Sequence, residues 1–363
     1  TINTNTNSNS YGMIISPDGK NIYIAGTTNG GQNNSITYWD INDIDGTFSN
    51  KRMLTDNTNL LGAYNMALDP SGRDMYIVAK DQASISFATR NTTTGDLQTP
   101  FILLTDPAHL NGVRNVILSP DGKFVYVVAS DSNSISYWTR NTATGMLSNL
   151  VSIVNNVDLG GVYDLAMPSY LYSGYHIYVA VSTTNSIRWY ARDQSTGALT
   201  FAGSVTDPIN LNFPVSVKIS PNGKHVYAVG KNSHSIVYWD RNILIYSGAL
   251  TNQIEIIDPI NLNNPQDVAV SPDGNKVYAV FSGSKTIVHW NRYPPTGILS
   301  NQKVTIATNN LDDVVNVAVS PNSKYIYTST DSTSYSKVVS KWNNEYEIVQ
   351  KKECNKFAHY RNP

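Results

Sequence analysis

The 363-residue chain has a single cysteine, Cys354. An intramolecular disulfide is therefore impossible, and zinc sites built on several cysteines are excluded. Charge is scarce too: 15% of residues are Asp, Glu, Lys or Arg, and the formal net charge is -1. No basic run is long enough to hold a phosphate backbone, so nucleic acid is not an expected partner. No apolar run approaches the roughly 18 residues that cross a bilayer. Helical periodicity of useful length is missing. None of the six histidines falls in H-x-H or HExxH spacing, so no metal is expected. There is no G-x-S-x-G elbow, P-loop or dinucleotide fingerprint, and no cofactor is expected. An initial methionine is absent as well: the chain starts at Thr1, which fits either a removed signal peptide or a trimmed start.

What is present is repetition. ISPDGKNIYIAG (15–26) returns as LDPSGRDMYIVAK (68–80), LSPDGKFVYVVAS (118–130), ISPNGKHVYAVG (219–230), VSPDGNKVYAVF (270–281) and VSPNSKYIYTST (319–330). A degraded copy with an insertion, MPSYLYSGYHIYVAV (167–181), stands fourth. The motif prolines, at 17, 70, 120, 168, 221, 272 and 321, are spaced by 53, 50, 48, 53, 51 and 49 residues. Each copy carries four short segments rich in Val, Ile, Tyr and Trp, as strands prefer. In the third copy they are NVILS (115–119), FVYVVAS (124–130), SISYWTR (134–140) and LSNLVSIV (147–154). Pro presets a turn φ and Gly supplies a positive one, so S-P-D-G reads as a strand reversal.

Four antiparallel strands per fifty-residue unit is the pattern of a propeller blade. The expected fold is all-β, a seven-bladed β-propeller over 11–352. It follows a polar lead-in at 1–10 and precedes a tail at 353–363. The blades fall near 11–60, 61–110, 111–160, 161–211, 212–262, 263–311 and 312–352. Each is complete in itself, so closure rests on packing of the seventh against the first. Strands such as FVYVV are apolar on both faces, which suits blades stacked around an axis. Trp39, Trp138, Trp239, Trp290 and Trp342 share one repeat position, with Ala88 and Tyr190 in the other two copies. They read as spacers between blades. Asp56, Asp106, Asp207 and Asp258 recur in register before the inner strands and read as turn caps.

The copies SPDGKFVYVVASDSNSISYWTRNTATGMLS and KNSHSIVYWDRN resemble the repeats of lactonase-like, YVTN-type seven-bladed propellers. The resemblance covers 11–352 and implies the fold. It implies two kinds of function: opening of sugar-acid lactones, or service as a surface or secreted propeller. It places no catalytic residue on this chain.

A site is expected where the copies disagree, at the channel mouth. The residues at the start of each inner strand are Gly12, Asn65, Asn115, Asp164, Ser216, Asp267 and Asn316. Those just before are Tyr11, Tyr64, Arg114, Tyr163, Val215, Gln266 and Val315. Arg114 suits an anion, and the tyrosines offer stacking and hydroxyls. Tyr11, Tyr64, Asn65, Arg114, Asn115, Tyr163, Asp164, Gln266, Asp267 and Asn316 are the candidate ligand contacts. Asp164, Asp267 and the loop residue His234 are the candidate catalytic groups. The leading expectation is a secreted, periplasmic or cell-surface binding module, with a protein partner or small ligand at the mouth. A lactone hydrolase and a glycan-binding lectin are the alternatives.

Overall fold

A computed structural model describes residues 10–28, 33–168, 175–243, 247–306, 311, 313–331, 338–342 and 348–353. The lead-in at 1–9, the insertion at 169–174, Cys354 and the tail lie outside them. The described residues form strands and no helix. Blade 1 holds β1 (Ser10–Ile15), β2 (Asn21–Thr28), β3 (Asn33–Ile41) and β4 (Phe48–Thr55). Blade 2 holds β5 (Ala63–Leu68), β6 (Asp74–Ala79), β7 (Ser84–Arg90) and β8 (Leu97–Thr105). Blade 3 holds β9 (Val113–Leu118), β10 (Phe124–Ala129), β11 (Ser134–Arg140) and β12 (Leu147–Val154). Blade 4 holds β13 (Val162–Ala166), β14 (His176–Val181), β15 (Ser186–Arg192) and β16 (Leu199–Thr206). Blade 5 holds β17 (Pro214–Ile219), β18 (His225–Gly230), β19 (Ser235–Arg241) and β20 (Leu250–Ile257). Blade 6 holds β21 (Pro265–Val270), β22 (Lys276–Phe281), β23 (Thr286–Arg292) and β24 (Leu299–Ile306). Blade 7 holds β25 (Val314–Val319), β26 (Ile326–Thr330), β27 (Val338–Trp342) and β28 (Ile348–Glu353). All seven sheets pair their strands consecutively, so no blade is shared between the chain ends.

The core lies between blades. The second strand is buried along its length in blades 2 to 5. Tyr76, Val78 and Ile85 of blade 2 pack with Val116, Val125, Val127 and Trp138 of blade 3. The Trp column is buried throughout, and Ala88 and Tyr190 are buried with it. These side chains fill seams, as the repeats predicted, and are not ligand platforms. The turn aspartates also do what their register implied. Asp207 Oδ1 accepts from the Ile209 and Asn210 N–H groups at 3.0 and 2.9 Å, and Asp56 and Asp258 repeat the arrangement.

The S-P-D-G rim carries a junction that repeats at five seams. Arg140 of blade 3 donates from Nε to the Tyr76 hydroxyl of blade 2 at 2.8 Å, and from a terminal nitrogen to the Gly122 carbonyl at 2.8 Å. Its other terminal nitrogen binds the carboxylates of Asp69 and Asp74. The Tyr76 hydroxyl in turn donates to the Gly145 carbonyl. Arg90 with Tyr23, Arg192 with Tyr126, Arg241 with Tyr178 and Arg292 with Tyr227 repeat the Nε bond at 2.7–2.8 Å. One repeated Arg, one repeated Tyr and the glycine of the T-G or S-G turn therefore meet at each of these seams. The closing seam differs. Ile41 stands where Arg90 stands in blade 2, and packs in a cluster with Phe48 and Tyr327. Tyr327 keeps its bond to a turn glycine, Gly46, at 3.2 Å.

Candidate functional site

The site is built by a bulge repeated in all seven inner strands. Pairing of the first strand with the second skips one residue in each blade: Tyr11, Tyr64, Arg114, Tyr163, Val215, Gln266 and Val315. A bulged residue has no ladder partner, and its side chain can be re-aimed. The column just before the mouth is this bulge column, and it opens into a cavity of about 700 Å³ on the axis. All ten candidate contacts line that cavity, together with Ser216, Lys218 and Asp331. His234 does not. It sits in the β18–β19 turn at φ 52°, with its Nδ1 enclosed and without a hydrogen-bond partner.

Two substructures share the cavity. In the first, the Arg114 guanidinium lies between two rings, 5.3 Å from the centre of Tyr64 and 4.7 Å from that of Tyr163. It donates to the Tyr64 hydroxyl and to Ser130 Oγ, both at 3.1 Å. Tyr11 stacks on Tyr64 with ring centres 4.9 Å apart. Burial pushes the Tyr163 hydroxyl well above its ordinary pKa, so it stays a neutral donor. The crescent presents one fixed cation and an aromatic face.

The second is a belt that stitches the inner strands together. Asn65 Nδ2 donates to Asn115 Oδ1 at 2.8 Å, and Asn115 Nδ2 donates to Asp164 Oδ1. Ser216 donates to Asp267 Oδ1 at 2.8 Å, and Asn316 Nδ2 donates to the Tyr11 carbonyl at 2.9 Å. Asp164 Oδ2 accepts from the Val217 N–H at 2.9 Å, and Asp267 Oδ2 from the Val317 N–H at 3.1 Å. Gly12 completes the column in blade 1, because a Cβ there would lie 2.6 Å from the Tyr64 carbonyl oxygen. The mouth residues are thus polar because they bond the next blade, as well as because the channel opens there.

Lys218 joins the two carboxylates. Its Nζ lies 2.7 Å from Asp164 Oδ2, 3.1 Å from Ser216 Oγ and 3.7 Å from Asp267 Oδ1. Burial opposes its charge, but Asp164 and Asp267 outweigh that and hold the ammonium above its ordinary range. Burial, and then the charge of Asp164, push the Asp267 carboxyl up, and Lys218 offsets only part of this. Asp164 has both oxygens committed: to Asn115 and the Leu165 N–H, and to the Val217 N–H and Lys218. Sequence reasoning missed Lys218. The signal was its own column, which otherwise reads Ile14, Ala67, Ile117, Ala166, Ala269 and Ala318. A lysine among aliphatic channel positions needs a reason, and the carboxylates above it supply one.

Among the described residues, no group of three or more His, Cys, Asp and Glu could hold a metal ion. No helix among them is long and apolar enough to cross a membrane.

Fold and site together define the class: an all-β, seven-bladed propeller with one asymmetric polar mouth on its axis. Within that class the chain resembles the lactonase-like propellers. The family model described as "Lactonase, 7-bladed beta-propeller" matches residues 111–255. Solved structures agree on the fold. A putative 6-phosphogluconolactonase from Bacteroides fragilis superposes with a TM-score of 0.68 at 15% identity, over 97% of this chain and 96% of its own. The periplasmic gluconolactonase of Pseudomonas aeruginosa gives 0.65 at 14%, over 81% and 85%. Kuenenia stuttgartiensis hydrazine synthase gives 0.63 at 14%, over 93% and 96%. Identities this low carry the fold and leave the chemistry to the site. No curated protein matches the chain.

Proposed function

We propose that the protein opens a lactone at the channel mouth. The family match and the lactonases among its structural neighbours favour this over the binding module that composition suggested. The observation that carries it is the pairing, in one cavity, of the ring-clamped Arg114 with the carboxylate Asp267. The lactone ring rests on the Tyr11–Tyr64 stack, and Arg114 donates to the carbonyl oxygen. Negative charge develops on that oxygen as water attacks, so a fixed cation there stabilises the transition state more than the ground state. Asp267 takes the proton of the attacking water. Its raised pKa brings its basicity nearer neutrality, and its Oδ2 accepts from the Val317 N–H alone, where each oxygen of Asp164 accepts two bonds. The acyl C–O bond of the ring then breaks, and Asp267 returns its proton to the departing alkoxide, giving a hydroxy acid. Asp164 positions Lys218, which keeps the charge around Asp267 balanced.

The cavity sets two cations, Arg114 and Lys218, against Asp164, Asp267 and Asp331. That balance favours a lactone without a phosphate. The test is alkali uptake on a panel of neutral sugar and aliphatic lactones, corrected for the buffer rate. Arg114→Ala and Asp267→Asn should each lower kcat/KM by about 100-fold or more, the range for losing one oxyanion donor or one general base. A wild-type protein with no rate above buffer on any lactone would sink the reading and return the mouth to ligand binding.

A further inference from the structure

The polarity of the channel changes along its axis. The mouth ring is polar in blades 2 to 7 and is glycine in blade 1. Two residues down, the cavity is lined by Ile14, Ala67, Ile117, Ala166 and Ala269, with Lys218 the exception. One step further it is lined by Ile15, Leu68, Met167, Ile219 and Val270. The exception does not make the bore polar. The ammonium of Lys218 is held by Asp164, Ser216 and Asp267, all three in the ring above it. Below that ring, neither level offers a charge to a ligand. All of these aliphatic side chains but the buried Ala166 are only partly covered by the blades behind them, and they line the cavity. A sugar ring held at Arg114 and Tyr64 would leave this lower wall unused.

We propose that the bore seats a linear aliphatic tail. The ligand is then an amphiphile whose lactone or carboxylate head lies at Arg114 and whose tail runs down the axis. The choice of head rests on the function proposed above; the tail rests on the bore alone. From the mouth ring to the third ring is three residues, about 10 Å at the rise of a strand, which is the length of a chain of roughly eight carbons. A cavity of about 700 Å³ lies within the range of pockets that enclose drug-sized ligands.

The experiment is calorimetric titration of the full chain with straight-chain carboxylates from butanoate to decanoate, beside δ-lactones carrying alkyl chains of increasing length. Kd should tighten by about fourfold per methylene, the value of burying one, and level off near eight carbons. Ala67→Leu combined with Ala269→Leu grows two side chains into the open bore. It should flatten the series while butanoate binding and the thermal midpoint hold. If that variant does not fold, Ala269→Ser adds a hydroxyl with little bulk and should reduce the gain per methylene. A flat series in the wild type overturns the proposal, and so does an unchanged slope in the plugged variant. Chain-dependent binding without lactone opening supports the tail and sinks the hydrolase. Opening of glucono-δ-lactone without chain dependence does the reverse.

Discussion

The two rims of the disc are built from the same strands and follow opposite rules. On the S-P-D-G rim one junction recurs at five seams with nearly constant geometry, an Arg Nε bonded to a Tyr hydroxyl at 2.7–2.8 Å. On the mouth rim the backbone device recurs in all seven blades, but the side chain on the bulge differs: three Tyr, two Val, one Arg and one Gln. Repeated side chains hold blades together. A repeated backbone shape with unlike side chains makes one asymmetric site at the centre of a near-symmetric ring.

The comparison breaks first if arginines on the two rims cost the same to remove. Arg140→Ala leaves the buried carboxylate of Asp69 without a cation, while Asp74 keeps the Arg73 fork. Breaking a buried pair in this way costs about 3–5 kcal/mol. Chemical denaturation should show a loss of that size. Arg114→Ala should cost less, about 1.5–3 kcal/mol by the same measurement, since it gives up charge-assisted bonds to two neutral hydroxyls and ring contacts but strands no buried charge. Its loss should appear in ligand affinity or turnover.

Acid should act mainly away from the mouth. His176 and His225 stand at two of the seams, and each accepts from an arginine through Nδ1, at 3.2 Å from Arg241 and 2.7 Å from Arg292. Burial, then the neighbouring Arg, lowers each to about 4 from 6.5. Burial, with help from Lys276 and Lys303, does the same to His289. In the window from pH 6.5 to 4 the unfolded chain takes up protons that the fold refuses. Stability is therefore full above 6.5, falls as pH falls through the window, and loses about 3 kcal/mol per histidine by its lower end. His225→Gln should flatten part of that slope in denaturation curves taken between pH 7 and 4. An unchanged slope would mean that the seam histidine is already charged.

A third test moves to the mouth itself. Gly12→Ala puts a Cβ 2.6 Å from the Tyr64 carbonyl oxygen and 2.7 Å from Asn65 Cα. Both are backbone atoms, so blade 2 must shift. A loss of about 1–3 kcal/mol is expected, the usual cost of forcing an extra group into a packed site. A neutral result would show that the belt between blades 1 and 2 is slack.

Much of this could be read from the chain, and the limits have physical causes. Spacing and turn chemistry marked the blades because strand and turn preferences are local. Comparing copies marked the cavity lining, since the bulge column is where they disagree. The seam junction stayed hidden although its Tyr was in plain view in all seven copies and its Arg in five. Arg140 meets Tyr76, 64 residues earlier, and no local rule pairs them. The belt stayed hidden for the same reason, since Asn115 and Asp164 are joined across a blade boundary. Asp164 therefore looked like a free carboxylate. In the fold its oxygens are bonded to Asn115, the Leu165 and Val217 N–H groups and Lys218. His234 shows the converse. A titratable residue on the correct rim still has to line the cavity, and this one does not.

The smallest effect is expected at Val315, and it sharpens the contrast most. Val315 is a bulge residue that lines the cavity on blade 7, beside Asn316 of the belt. Its side chain has no cross-strand partner in the first-to-second strand ladder, so β-propensity has little to act on there. Val315→Thr keeps the branched shape and places a hydroxyl where the mouth can solvate it. Stability should change by no more than about 0.5 kcal/mol, as for surface substitutions generally. The same exchange at Val127, buried in β10, sets an unpaired hydroxyl in a closed seam and should cost about 1–3 kcal/mol. Equal costs at the two positions, read from paired denaturation curves, would mean that the bulge column is core. The freedom of its side chains to differ from blade to blade would then need another cause.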